Sequence, residues 1–187
     1  MSVSLTWGTE PEERALLFPC DAYAARLARE RGKDFDAPYF RGVTVEAAPG
    51  QIWLWLCQLR VAPYSYDWLD NLGRRSPRRI IPGLSHLAVG QKIMFCFDLI
   101  DFAPQSHITF QTDATGARAF GDVLGSYLII PQTARRSRLL VKLHVCGGRG
   151  LAGSLRRRLL PWLDLFMMRR QLLNFKELSE SIPDDSD

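Results

Sequence analysis

From Arg138 to Val145 the chain alternates cleanly, with Leu139, Val141, Leu143 and Val145 on one phase and Arg138, Lys142 and His144 on the other. Gly147, Gly148 and Gly150 then break the run, and Leu151 to Ser179 reads as helix. This pairing of an alternating strand with a long terminal helix narrows the fold more than any other feature, because each element has an apolar side that must be buried on a neighbour. Gln91 to Ile100 sets Ile93, Phe95, Phe97 and Leu99 against Lys92, Met94, Cys96 and Asp98, and Gln105 to Asp113 sets Ile108 and Phe110 against His107, Thr109 and Gln111. A further run centres on Ser126 to Ile130 and returns through a basic turn at Ala134 to Ser137. The pattern predicts an antiparallel meander with one buried face, hence an α+β chain.

In the terminal helix, Leu155, Leu159, Trp162, Phe166 and Leu173 supply an apolar stripe that Met167 and Met168 widen. Pro161 cannot bond back to Arg157, which predicts a kink or two abutting helices. Upstream, a helix is expected over Asp21 to Arg31, capped by Asp21 and ended by Gly32. Phe40 to Ala47 reads as a half-buried strand, and Ala48-Pro49-Gly50 ends it. Ile52, Trp53, Trp55, Leu56 and Leu59 make a short apolar helix that Pro63 stops. The octet Tyr64 to Asn71, taken as helical, puts Tyr64, Trp68 and Asn71/Leu72 on one aromatic face suited to a cavity wall.

At 187 residues and 47% apolar content, one domain with a substantial core is expected. Residues 1–39 form an N-terminal arm on that domain, residues 40–180 the domain itself, and residues 181–187 a disordered acidic tail. Cys20, Cys57, Cys96 and Cys146 lie far apart without C-x-x-C spacing, and Met1 to Thr9 lacks a secretory pattern. A reducing, cytoplasmic setting with free thiols follows as the expectation. The apolar runs Ile52 to Cys57 and Leu159 to Met168 are too short to span a bilayer, so no integral membrane association is expected. The net charge of +4 gathers at Arg74/Arg75/Arg78/Arg79, Arg135/Arg136/Arg138 and Arg156 to Arg158. No nucleic-acid signature accompanies these clusters, which read as solvated loops and helix ends. The Gly-Gly-Arg-Gly segment has neither phosphate-loop nor dinucleotide spacing, and no cofactor is implied.

Four stretches together resemble the SRPBCC superfamily, the START-like helix-grip fold that includes polyketide-cyclase-like proteins, in an uncharacterised bacterial subgroup. They are Trp7-Gly8 with Glu12/Glu13 and Pro19/Asp21; Ala47 to Leu59 running into Tyr64 to Asn71; Arg79-Ile80-Ile81-Pro82 with Val89-Gly90; and Asp164 to Glu177 around Met167 to Leu173. The resemblance implies a curved antiparallel sheet wrapped around a long C-terminal helix, two short helices after the first strand, and an apolar cavity between sheet and helix. Such folds bind lipids, sterols or polyketide-like molecules, and some members act as cyclases or dehydratases. Cys20 stands where the pattern has a glycine, and Leu59 to Pro63 replaces a glycine-rich loop, so a different pocket mouth is expected.

The ligand-binding candidates are Tyr64, Tyr66, Trp68, Asn71, Phe95, Phe97, Phe110, Tyr127, Trp162 and Phe166. His86, His107 and His144 are isolated in sequence and predict no metal site. Asp67 and Asp70 read as helix first-turn acids, and Asp164, set in an apolar helix, needs a partner such as an arginine or a free amide near Pro161. The first functional expectation is binding of a small hydrophobic molecule without catalysis. The second is a cyclase/dehydratase-type enzyme with Tyr66, His86 or Asp67 moving protons, and the third is a protein-interaction module. No catalytic residue is assigned, and the oligomeric state is left open.

Overall fold

The computed structural model of the chain describes residues 2–66, 75–146 and 150–182. Three helices come first, α1 (Val3–Thr6), α2 (Pro11–Arg14) and α3 (Pro19–Arg31), followed by β1 (Tyr39–Val45), α4 (Pro49–Cys57) and a 3-10 turn over Gln58–Arg60. The second half runs β2 (Lys92–Ile93), β3 (Phe97–Ala103), β4 (His107–Thr112), α5 (Ala114–Phe120), β5 (Val123–Thr133), β6 (Arg136–Val145) and α6 (Gly150–Glu180). All six strands pair antiparallel in one sheet of order β1-β6-β5-β4-β3-β2. The chain's first strand therefore closes against its last, and α6 packs over β1 and α4. This is the α+β helix-grip architecture.

Local chemistry sets the helix boundaries. Pro19 opens α3, the Asp21 carboxylate accepts the Phe18 amide at 2.9 Å, and Gly32 ends the helix at φ 59°. The helix thus starts two residues before the expected cap, with Asp21 inside its first turn. In α4, Pro49 again occupies the first turn and the Gln51 side chain accepts the Ala48 amide at 3.0 Å. The helix ends at Cys57 and tightens into the 3-10 turn, short of the expected Leu59.

Other expectations are corrected. Gln91 to Ile100 is not one strand: Met94 and Phe95 take left-handed φ values of 47° and 65°, which turn β2 back onto β3. Phe95 consequently leaves the strand phase it was assigned to. Asp113 caps α5 by accepting the Thr115 and Gly116 amides at 2.8 Å each, a short helix between two strands of the meander. Tyr64 has φ 57°, so the octet does not begin as a helix, and its remaining members from Asp67 onward, including Trp68, Asp70 and Asn71, lie outside the described residues.

The sheet is covered on both faces. Its inner face joins α4 and α6 in the main core, around Trp55, Leu56, Ile108, Leu139, Leu172 and Phe175. On the outer face Phe18, Cys20 and Ala24 cover Phe40, Leu124 and Leu140. The phase of β6 expected to face away from the core therefore lies beneath the N-terminal helices and meets their acids. Arg138 makes a forked ion pair with Glu13 at 2.6 and 2.8 Å, while Lys142 Nζ and His144 Nε2 lie 2.6 and 2.7 Å from Asp21 Oδ1. His144, isolated in sequence, thus converges with Asp21 and Cys20. Burial opposes ionisation of Asp21, but hydrogen bonds from His144, Lys142 and the Phe18 amide outweigh it and bring the carboxyl to about 2. Burial pushes the Cys20 thiol up to about 11. With Lys142 and His144 both on its carboxylate, Asp21 is the centre of an ion-pair network beneath the N-terminal helices.

The arm is fixed by backbone contact at two glycines. The Gly42 amide donates to Trp7 O at 3.1 Å, and a Cβ on Gly42 would stand 2.8 Å from Gly8 O and 2.9 Å from Leu140 Cδ2. Gly42→Ala should lower unfolding free energy by about 2 kcal/mol through overpacking. Urea denaturation checks this, and an unchanged midpoint would show that the arm can move aside.

Candidate ligand cavity

Between the inner face of the sheet and α6 lies a cavity of about 540 Å³. Its floor is built by strand register: Phe97 on β3 meets Phe110 on β4 edge to face at 5.2 Å, and Phe110 meets Tyr127 on β5 at 5.5 Å. Val123, Leu143 and Val145 continue that wall. Phe110 is paired with Gly125, where a Cβ would stand 2.7 Å from Phe110 Cζ and 2.5 Å from Leu143 Cδ2. The missing side chain lets these two groups close over the strand. From α6, Leu160, Leu163, Met167 and Met168 form the roof, while Met94, Phe95 and Cys96 from the β2–β3 turn and Pro63 and Ser65 form the rim.

Two polar residues project from the cavity side of α6, Asp164 and Gln171, seven positions apart and therefore on one face. Asp164 Oδ2 accepts from Arg41 Nη2 at 2.6 Å. Arg41, fully buried on β1, also donates to Pro161 O at 3.3 Å and to Phe40 O at 2.8 Å. The partner proposed for Asp164 as an arginine is thus Arg41, and the peptide unit beside Pro161 contributes its carbonyl rather than an amide. Burial pushes the Asp164 carboxyl up to about 6, with Arg41 pulling it partly back. Its side chain keeps 16% exposure.

Gln171 closes a second chain across the cavity. The Tyr127 hydroxyl donates to Gln171 Oε1 at 2.5 Å, and Gln171 Nε2 donates to Pro63 O at 2.5 Å. Burial, reinforced by the Asp164 charge, raises the Tyr127 phenol. Burial likewise lifts Tyr39, another lining residue, to about 12. Sheet, helix and rim are linked through one amide.

The sequence candidates divide among three places. Phe97, Phe110 and Tyr127 line the cavity wall, and Phe95 lines it at the rim with 57% exposure. Tyr64 lies in the solid core instead, edge-on to Trp55 and beside Phe175, with its carbonyl accepting from Asn174 Nδ2 at 2.7 Å. Tyr66, Trp162 and Phe166 lie on the opposite side of α6, in an outer groove of about 460 Å³ where Tyr66 stacks on Phe166 at 4.2 Å. The expected stripe Leu155, Leu159, Trp162, Phe166 is therefore the outward face of the helix. The core face carries Leu160, Met168, Leu172, Phe175 and Leu178 instead. Trp68 and Asn71 lie outside the described residues.

Of the proton-transfer candidates, Tyr66 is in the outer groove, His86 does not line the cavity, and Asp67 lies outside the described residues. The sequence reading passed over Val123, Leu143, Val145, Met167 and Gln171 as cavity residues. Phase alone would have found the first three, since Val123 shares the phase of Tyr127, and Leu143 and Val145 were already placed inward.

No family model matches the chain, and no curated protein sequence matches it. Among solved structures it is similar to a structural-genomics protein from Mesorhizobium loti, at 14% identity over 79% of this chain and 100% of that one, with a TM-score of 0.48. It is similar to the di-domain ARO/CYC StfQ from the steffimycin biosynthetic pathway at 14% identity, covering 84% of this chain and 55% of that one, with a TM-score of 0.46. Norcoclaurine synthase from Thalictrum flavum, solved with dopamine and hydroxybenzaldehyde, matches at 11% identity over 81% and 91% of the two chains, again with a TM-score of 0.46.

Two predictions test the polar links. Gln171→Leu strands the Tyr127 hydroxyl and Pro63 carbonyl and should cost about 2 kcal/mol or more, against about 1 kcal/mol for Tyr127→Phe, which leaves Gln171 its bond to Pro63. Equal losses in chemical denaturation would contradict the shared-amide link. For Asp164, the folded carboxyl at about 6 lies above its ordinary 3.8, so the folded state holds the proton more tightly. Stability relative to Asp164→Asn should be fully present below pH 3.8 and lost as pH rises through about 6. Arg41→Met removes the pull toward ionisation and should move the NMR-detected Asp164 midpoint upward; a downward shift would disprove the pairing.

Proposed function

We propose that the protein binds a small hydrophobic molecule, lipid-, sterol- or polyketide-like, in the cavity between the sheet and α6. The observation that carries this reading is a hollow of about 540 Å³ whose walls are aromatic and aliphatic apart from a few polar groups. That size and lining are those of small-molecule sites in general. Each ~100 Å² of apolar ligand surface withdrawn from water contributes about 2.5 kcal/mol, so a guest filling much of the space recovers the cost of its immobilisation.

The pairing of the polar groups supports binding over chemistry. Asp164 is engaged by Arg41, and the Tyr127 hydroxyl by Gln171. Both already have protein partners, so they stand as fixed parts of the wall. They offer a ligand oriented dipoles in an otherwise apolar space.

Native mass spectrometry of freshly purified protein should reveal a co-purifying apolar compound, and an apolar fluorescent probe should bind saturably and be displaced by it. Met167→Trp, which fills the cavity from α6, should weaken probe binding about tenfold, equivalent to 1.4 kcal/mol. Probe affinity unaltered by that substitution would place the binding elsewhere and sink the reading.

A further inference from the structure

The outward face of α6 is apolar where a helix packed on a sheet ordinarily turns polar groups to water. Leu155, Leu159, Trp162, Leu163 and Phe166 keep 48–59% exposure. With the 3.6-residue period, Leu155, Leu159, Trp162 and Phe166 form one stripe, flanked by Arg158 and Arg169 on one side and Arg156 and Arg170 on the other. Between Leu155 and Leu173 the helix carries five arginines and one acid, Asp164, which is turned inward onto Arg41. A leucine and aromatic stripe edged by arginines is the composition of helices that lie in a membrane interface.

We infer that this face docks the protein on an anionic phospholipid surface, the apolar stripe entering the acyl boundary and the arginines meeting the headgroups. Charge selects that occupant. A second copy of the chain would bring arginine rows against arginine rows, whereas phosphatidylserine headgroups neutralise them. The position of the stripe points the same way: Leu163 belongs both to the exposed patch and to the cavity wall, and Phe95, equally exposed, stands on the cavity rim. The docking face therefore runs into the mouth of the cavity. Among the described residues no helix is long and apolar enough to cross a membrane, so the contact is peripheral. The aromatic groove of Tyr66, Trp162 and Phe166, with Arg169 and Arg170 in its lining, lies at the C-terminal end of this stripe. This inference goes beyond ligand binding and stands whether or not the cavity is filled.

Flotation with lipid vesicles tests it. The protein should float with phosphatidylcholine vesicles containing phosphatidylserine, stay behind with phosphatidylcholine alone, and be released by high salt. Arg158→Gln with Arg170→Gln should weaken vesicle binding roughly 25-fold, at about fivefold for each arginine. Leu159→Ser with Trp162→Ser, both exposed and away from the cavity, should abolish it while circular dichroism and apolar-probe binding stay unchanged. Equal recovery on both vesicle types, recovery on neither, or indifference to both double substitutions overturns the inference. So does a dimer in sedimentation that the serine substitutions dissolve, which would give the stripe to a second copy. Loss of probe binding in the parent protein strikes the ligand reading alone.

Discussion

The buried guanidinium of Arg41 governs where α6 can lie. Removed from water on β1, it needs acceptors, and it finds them in Asp164 Oδ2 and Pro161 O on the helix and Phe40 O on the strand. An unpaired charge at such a site is costly enough to exclude other rotations of the helix. The Tyr127–Gln171–Pro63 chain adds a second bridge two turns further along. Long polar side chains thus span the gap at two places, while the sheet presents the shorter Val123, Leu143 and Val145 to the hollow. The hollow follows from that mismatch of lengths.

The order of elements was legible because strand alternation and helix caps are local. Leu139 to Val145 announced β6 and its inward phase, and Pro19, Asp21 and Gly32 bounded α3 within two residues. What could not be read depended on long-range partners. Met94 and Phe95 fit a strand by composition, yet they turn, because the Leu59 carbonyl takes the Met94 amide at 2.8 Å and folds the segment back. Lys142 and His144 looked solvent-facing because nothing in β6 itself reveals that Asp21, more than a hundred residues earlier, covers them.

The candidate site shows the same limit in sharper form. Phe97, Phe110 and Tyr127 were found because alternation fixes which way a strand residue points. Trp162 and Phe166 were assigned to the cavity because periodicity identifies an apolar stripe without saying which of two it is. In α6 both faces are apolar, one with Leu160, Met168, Leu172 and Phe175, the other with Leu155, Leu159, Trp162 and Phe166. The deciding signal was polar rather than apolar. Asp164 and Gln171, seven apart, mark the face with protein partners, since a buried carboxylate and amide must meet hydrogen-bonding groups, whereas the arginines flank the exposed stripe.

That division bears on what a cavity of this kind can select. For a guest taken from water, apolar burial supplies most of the gain, and almost any greasy molecule of suitable volume benefits alike. For a guest taken from a bilayer, acyl chains already shield it, so apolar transfer contributes little, as it does for helices associating within lipid. Discrimination then falls to fit and to the few polar side chains of the hollow. The Asp164 carboxyl, with its proton affinity raised by burial, and the Gln171 amide would favour a guest whose hydrogen-bonding group reaches their remaining lone pairs and N–H over one that offers none. On the proposed reading, the same inward acid that sets the helix on the sheet would also be a source of selectivity, and the outward arginines would determine only where the guest is met.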